Sequence, residues 1–162
     1  QEEHGEIVVK PLYGNAGSAV FFVGKDDRNL AALTELFGDV WVEPYMVQAF
    51  LPDVSAGDKR IILVDGEPTG GVNRLPKKGE IRSNFAVGGS GAASELTARE
   101  LEICEALGPE LKKRGLLFVG IDVIGGYLTE INVTSPTGIV SIDTFNGTDT
   151  GAKIWDAIEA KL

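Results

Sequence analysis

The sequence predicts an α+β fold built on antiparallel sheets with flanking helices. Three observations carry this prediction. Strand-like runs come in pairs around tight turns, at Asp65-Gly66 and at Gly125-Gly126-Tyr127, and such pairs form hairpins. Helical periodicities fall between these hairpins and do not alternate with single strands, so no βαβ series is specified. The chain has 162 residues, 43% hydrophobic and 24% charged, which is one domain's worth of ordinary globular protein.

Taken in order, Ile7-Val8-Val9-Lys10-Pro11 is a β-branched strand ended by proline. Gly14, Gly17 and Ser18 make a turn, and Ala19 to Val23 returns as a second strand. Small residues in that turn let backbone N–H groups approach a phosphate, although a plain flexible hairpin would read the same. Lys10 is either a phosphate-binding cation or an exposed strand lysine. Asp27 to Phe37 carries Leu30, Leu33, Leu36 and Phe37 at helical spacing and is closed by Gly38, an amphipathic helix. Val40 to Pro52 is extended and apolar, and its Gln48 to Pro52 part could offer backbone donors and acceptors to a planar ligand.

Lys59 to Val64 and Pro68 to Leu75 flank Asp65-Gly66, with Arg60 early in the first strand and Arg74 late in the second. Pro76 to Ser94 is polar, glycine-rich and without periodicity, and it holds Lys77, Lys78 and Arg82. A loop of that length between folded segments reads as a lid. Thr97 and Glu100 form a capping box for a helix to Gly115, whose buried stripe is Leu101, Cys104, Leu107 and Leu111. A short Ile139-Val140 segment and a last amphipathic helix, Asp149 to Leu162, complete the chain.

The stretch from Gly120 to Pro136 is the most informative. A three-residue loop at Gly125-Gly126-Tyr127 pairs Gly120 with Asn132 and Asp122 with Glu130, leaving Ile121, Val123, Ile131 and Val133 on an apolar face. A two-residue loop shifts the pairing by one and sends the two acids to opposite faces, so the odd loop is expected. Asp122, Glu130 and Asn132 then cluster as oxygen donors, suited to a hard divalent ion that also binds substrate phosphates. The solvated face of an ordinary hairpin would carry the same residues.

The net charge of −9 argues against nucleic acid or an anionic membrane as partner, since a phosphate backbone needs a basic footprint. The one cysteine, Cys104, excludes an internal disulfide and sits in a helical pattern as a buried thiol. The one histidine, His4, reads as a surface residue. No leader and no apolar run near 18 residues is present, so a cytoplasmic location is expected. Together the pieces suit phosphoryl transfer, which asks for cations on a triphosphate, a divalent ion and a water-excluding lid. Lys10 would sit on the α- and β-phosphates, Arg60 and Arg74 near the γ-phosphate, and Lys77, Lys78 and Arg82 in the lid.

Six blocks carry a resemblance: Val8 to Gly17 (V-V-K-P-L-Y-G-N-A-G), Gln48 to Pro52 (Q-A-F-L-P), Gly57 to Arg60 (G-D-K-R), the loop from Arg74 to Gly91, Phe118 to Gly125 (F-V-G-I-D-V-I-G) and Leu128 to Thr137 (L-T-E-I-N-V-T-S-P-T). The chain is similar to the C-terminal, ATP-binding part of the prokaryotic-type glutathione synthetases, which are ATP-grasp ligases. The resemblance implies an ATP-grasp-like fold, incomplete at its N-terminus. Residues 1–52 would form part of the first subdomain and residues 53–162 the second, with a lid loop at 75–94.

The activity implied is the ATP- and Mg²⁺-dependent (or Mn²⁺-dependent) joining of γ-glutamylcysteine to glycine through an acyl phosphate, in glutathione synthesis. Lys10 matches the triphosphate lysine, and Gly14, Asn15, Ala16 and Gly17 the phosphate-covering turn. Gln48, Ala49, Phe50 and Leu51 match the adenine-binding segment, and Asp58 a ribose or neighbouring contact. Arg60, Arg74 and Arg82 match the catalytic cations, and Asp122, Glu130 and Asn132 the metal ligands. Arg82, Asn132, Ser135 and Thr137 fall where acyl phosphate and glycine are handled. The family's N-terminal part, with a second ATP-binding lysine, has no counterpart before Gln1. The chain alone is therefore expected to be inactive or to bind ATP weakly, and the full-length protein to form a homo-oligomer. Another carboxylate–amine ligase of this fold and a non-catalytic nucleotide-binding module are the alternatives.

Overall fold

The computed structural model describes residues 3, 5–14, 17–85 and 88–162. The strands form two antiparallel sheets. The smaller has the order β2-β1-β3, from β1 (Ile7–Pro11), β2 (Phe21–Val23) and β3 (Tyr45–Ala49). Ile7 and Val9 point to one side of β1 and pack with Val23 and Phe37, as the period of two requires. Ala19 has φ +53°, so the second strand begins at Phe21 and not at Ala19. The helix expected through Phe37 is shorter. α1 (Leu30–Glu35) widens into a π turn over Leu36–Val40 that takes in Gly38 and carries Phe37 into the core. There Phe37 meets Phe21 edge-on at 5.7 Å and Tyr45 at 5.0 Å.

The larger sheet has the order β6-β5-β4-β7-β8, from β4 (Asp58–Val64), β5 (Glu67–Leu75), β6 (Ser90–Ala93), β7 (Phe118–Ile124) and β8 (Tyr127–Asn132). β4 is central and every one of its residues is buried. Ile61 and Leu63 face α2 (Ala98–Lys113), while Ile62 and Val64 face α3 (Ile139–Asn146) and α4 (Thr150–Glu159). Both faces of the sheet are thus covered by helices. The loop expected to be structureless contributes β6, which pairs Val72 with Ala93 and Leu75 with Ser90. The Ile139-Val140 segment is the start of α3, a full helix between Gly138 (φ +115°) and Gly147 (φ +64°). In α2 the capping box is formed on both sides. Its inner stripe runs Glu100, Ile103, Cys104, Gly108 and Leu111; Leu101, expected inside, is one position off that stripe and exposed.

The β7–β8 hairpin corrects the sequence reading in its cause. Its turn has two residues, Gly125 and Gly126, with φ +57° and +79°, the primed geometry that hairpins favour. Ile124 pairs with Tyr127 and Val123 with Leu128, and a bulge at Thr129 then lets Asp122 pair with Glu130 and Gly120 with Asn132. The extra bulge residue restores the pairing that a bare two-residue turn would have lost. No described helix is long and apolar enough to cross a membrane.

Candidate active site

A cleft opens between the two sheets. Val8, Lys10, Gln48, Ala49, Phe50 and Leu51 line it from the smaller sheet and its exit. Asp58, Asp122, Thr129 and Glu130 line it from the larger, and Ile81 to Asn84 close it from the β5–β6 loop. Lys10 bridges the sheets, its Nζ donating to the Thr129 carbonyl at 3.2 Å and to Glu130 Oε1 at 3.4 Å. Gly17 lies so near the loop that a Cβ there would meet Asn84 Oδ1 at 2.6 Å. Gly14 is placed away from the lining, and Asn15, Ala16 and His4 lie outside the described residues.

The charged residues occupy one face of the larger sheet, because Asp58, Arg60, Ile62 and Val64 alternate along β4 on the side of α3. At its far end that face is apolar; towards the cleft it is charged. Register places Arg60 opposite Asp122 and Asp58 opposite Arg74. Arg60 Nε and Nη2 donate to the two oxygens of Asp122, at 2.5 and 3.0 Å, and its Nη1 donates to the Thr137 carbonyl at 3.0 Å. Arg74 Nη2 lies 2.6 Å from Asp58 Oδ2 and 3.0 Å from Asp122 Oδ2. All four side chains are buried. Arg60 and Arg74 thus stand just behind the cleft wall, neutralised by its acids.

These contacts set the titration of the acids. Burial raises the Asp122 carboxyl, but hydrogen bonds and charge from Arg60 and Arg74 outweigh it and hold the group below the usual carboxylate range. Asp58 goes the other way: burial and the nearby Asp122 charge outweigh Arg74, and its pKa is pushed up to about 6. Arg74, between two carboxylates, is raised above its ordinary value despite burial.

Glu130 is half-exposed beside Lys10. Asn132, opposite Gly120 on β8, has a buried Nδ2 without a partner among the described residues. Arg82 lines the cleft and pairs with Glu80 at 2.9 Å. Ser135 is exposed and away from the cleft, and Thr137 enters only through its carbonyl. No three described His, Cys, Asp or Glu residues are grouped to hold a metal by themselves. The donors do fit an ion completed by phosphate oxygens, being two carboxylates and an amide at adjacent register positions. Both Asp122 oxygens are engaged by Arg60 and Arg74, so Asp122 would join such a set only by exchanging one of those bonds. The sequence reading missed Ser83, whose buried hydroxyl donates to Asp58 Oδ2 at 2.7 Å, and the Thr129 carbonyl; neither contact leaves a local sequence signal.

Residues 1–147 match the family described as prokaryotic glutathione synthetase, ATP-grasp domain. The glutathione synthetase of Agrobacterium fabrum is 57% identical over 161 residues, 99% of this chain and 50% of that protein. That of Rhodopseudomonas palustris is 59% identical over 159 residues, 98% of this chain and 51% of its own. The chain therefore spans about half the length of these relatives. Among solved structures, the D-cycloserine synthetase DcsG superposes with a TM-score of 0.72 at 16% identity, over 99% of this chain and 57% of that one. A D-alanine–D-alanine ligase from Bacillus anthracis complexed with ATP gives 0.64 at 18% identity, over 98% and 53%. At such identities these two show a shared ATP-grasp fold and nothing finer. On the family match and the close relatives together, the chain belongs to the ATP-grasp domain family of the prokaryotic glutathione synthetases.

Proposed function

We propose that the chain is the nucleotide-binding part of an ATP-dependent ligase that joins γ-glutamylcysteine to glycine. The observation that carries this is one cleft lined by Lys10, Asp58, Asp122 and Glu130, with Arg60 and Arg74 bound to its two aspartates from behind the wall. The family membership and relatives named glutathione synthetase support the substrates. Residues 1–52 and 53–162 would act as the two subdomains, and 75–94 as the covering loop.

In this reading the backbone of Gln48 to Leu51 receives the adenine, and the unpartnered Asp58 Oδ1 accepts a hydroxyl of the nucleotide. Lys10 holds phosphate oxygens, and Arg60 and Arg74 turn towards the transferred phosphoryl group as it displaces them from Asp122. Asp122, Glu130 and Asn132 would hold Mg²⁺ or Mn²⁺, which screens charge on the phosphates. The dipeptide carboxylate takes the γ-phosphoryl group, ADP leaves, and the glycine amine displaces phosphate from the acyl phosphate. Arg82 and the loop keep water from that acyl phosphate.

The test is calorimetric titration of ATP into the chain with and without magnesium, followed by phosphate release from the whole protein with paired acids and amines. Magnesium-dependent heat, and turnover confined to γ-glutamylcysteine with glycine, are expected. Turnover with D-alanine pairs, or nucleotide binding without turnover of any pair, would replace this reading.

A further inference from the structure

Ser83 lies in the loop between β5 and β6, far in sequence from the residues it touches, and is 2% exposed. Its Oγ donates to Asp58 Oδ2, the oxygen that also accepts from Arg74 Nη2. The loop is folded tightly to bring it there. The Gly89 N–H donates to the Asn84 carbonyl at 3.2 Å, and a Cβ on Gly89 would come within 1.9 Å of the Ser83 carbonyl oxygen. On the opposite side, Gly17 packs against Asn84. The loop thus touches both walls of the cleft, and Ser83 is its buried anchor.

We propose that Ser83 is a positioning residue that pins residues 76–85 to the cleft floor through Asp58 and, by the same hydrogen bond, fixes the direction in which Arg74 points. This rests on the functional reading above, and it adds that loop closure and arginine placement are one event. Without the hydroxyl, Asp58 Oδ2 keeps only Arg74, the carboxylate is free to rotate, and the loop loses its buried polar contact. A hydrogen bond to a carboxylate is strong enough for its loss to open the loop about tenfold or more often.

The experiment compares the wild-type chain with Ser83→Ala, Ser83→Thr and Gly89→Ala, without nucleotide. Amide exchange is read across the loop and across β4 and β7, and the Arg74 guanidinium N–H signals are read by NMR. Ser83→Ala is expected to speed exchange about tenfold in residues 77–85, to leave β4 and β7 protected, and to shift the Arg74 signals. Ser83→Thr, which keeps the hydroxyl, should restore both. Gly89→Ala, which displaces the Ser83 backbone by a steric clash and leaves Asp58 and Arg74 untouched, should shift the Arg74 signals as the loop opens; an open loop with unchanged Arg74 signals overturns the coupling, and this decides the matter should Ser83→Ala fail to fold. Unchanged loop exchange or unchanged Arg74 signals overturns the proposal, as does equal acceleration in β4 and β7. Adding MgATP to the wild type separates the two readings: absent binding removes the nucleotide site, while the exchange result still decides the anchor.

Discussion

Asp122 and Glu130 face one another across β7 and β8 but are held very differently. Asp122 is buried and bonded by two guanidinium groups, so removing it leaves two arginine charges in a low-dielectric wall. Breaking a buried pair from one side costs about 3–5 kcal/mol, and Asp122→Ala should therefore lower the melting temperature by on the order of 10 °C. Glu130 is 44% exposed and meets Lys10 at 3.4 Å, a pair of the kind worth less than about 1 kcal/mol. Glu130→Gln should leave melting within a few degrees while abolishing the magnesium dependence of nucleotide binding. Calorimetry and thermal denaturation on both variants check this contrast. Equal destabilisation by the two would make Glu130 a structural residue.

Between elements, the junction of α3 with α4 depends on one acid. Asp143 in α3 accepts hydrogen bonds from the Thr148 hydroxyl and from the amide and hydroxyl of Thr150. Burial raises its carboxyl, but these bonds and Lys153 outweigh that and hold it below its ordinary 3.8. The folded state thus binds fewer protons here than the unfolded state. The stabilisation is complete above about pH 3.8 and is lost as pH falls through the folded value. Asp143→Asn should melt below the wild type at neutral pH, and the gap should close in acid; a gap constant from pH 7 to pH 3 would show that the charge is not what matters. Such contacts also mark where sequence reading succeeds and stops. Turn chemistry made both hairpins readable, and the capping box marked the start of α2. The sequence placed the two acids opposite each other, but through an odd loop where the chain uses a two-residue turn and a bulge. It read α3 as a short segment because its β-branched Ile139, Val140 and Ile142 resemble a strand. It listed Arg60, Arg74 and Asp122 as site residues but not their mutual bonds, because those depend on β4 lying between β5 and β7. That neighbour relation spans more than fifty residues and has no local signature.

At the scale of the molecule, the two sheets carry separate cores, one around Phe37 and two around β4. The cleft between them is crossed by Lys10, reaching Thr129 and Glu130, and by the loop residues that meet Gly17. A nucleotide seated there would touch both sheets and would bind only when they are correctly apposed, which is the condition for a ligand to stabilise the folded state. At ten times its Kd the linkage relation gives about 1.4 kcal/mol, and for a chain of this length that is a rise in melting temperature of roughly 3–6 °C. The rise should need magnesium and should vanish in Lys10→Met, which removes the cation that joins the sheets. Differential scanning calorimetry with ATP, ATP plus a chelator, and the variant decides it. The sheets carry separate cores, so the shape of the trace is informative as well. A ligand that binds across the cleft should raise and sharpen one transition, whereas a ligand confined to the larger sheet should split the trace and leave melting of the β2-β1-β3 sheet where it was. The second outcome would place the nucleotide outside the cleft, and Lys10 with it.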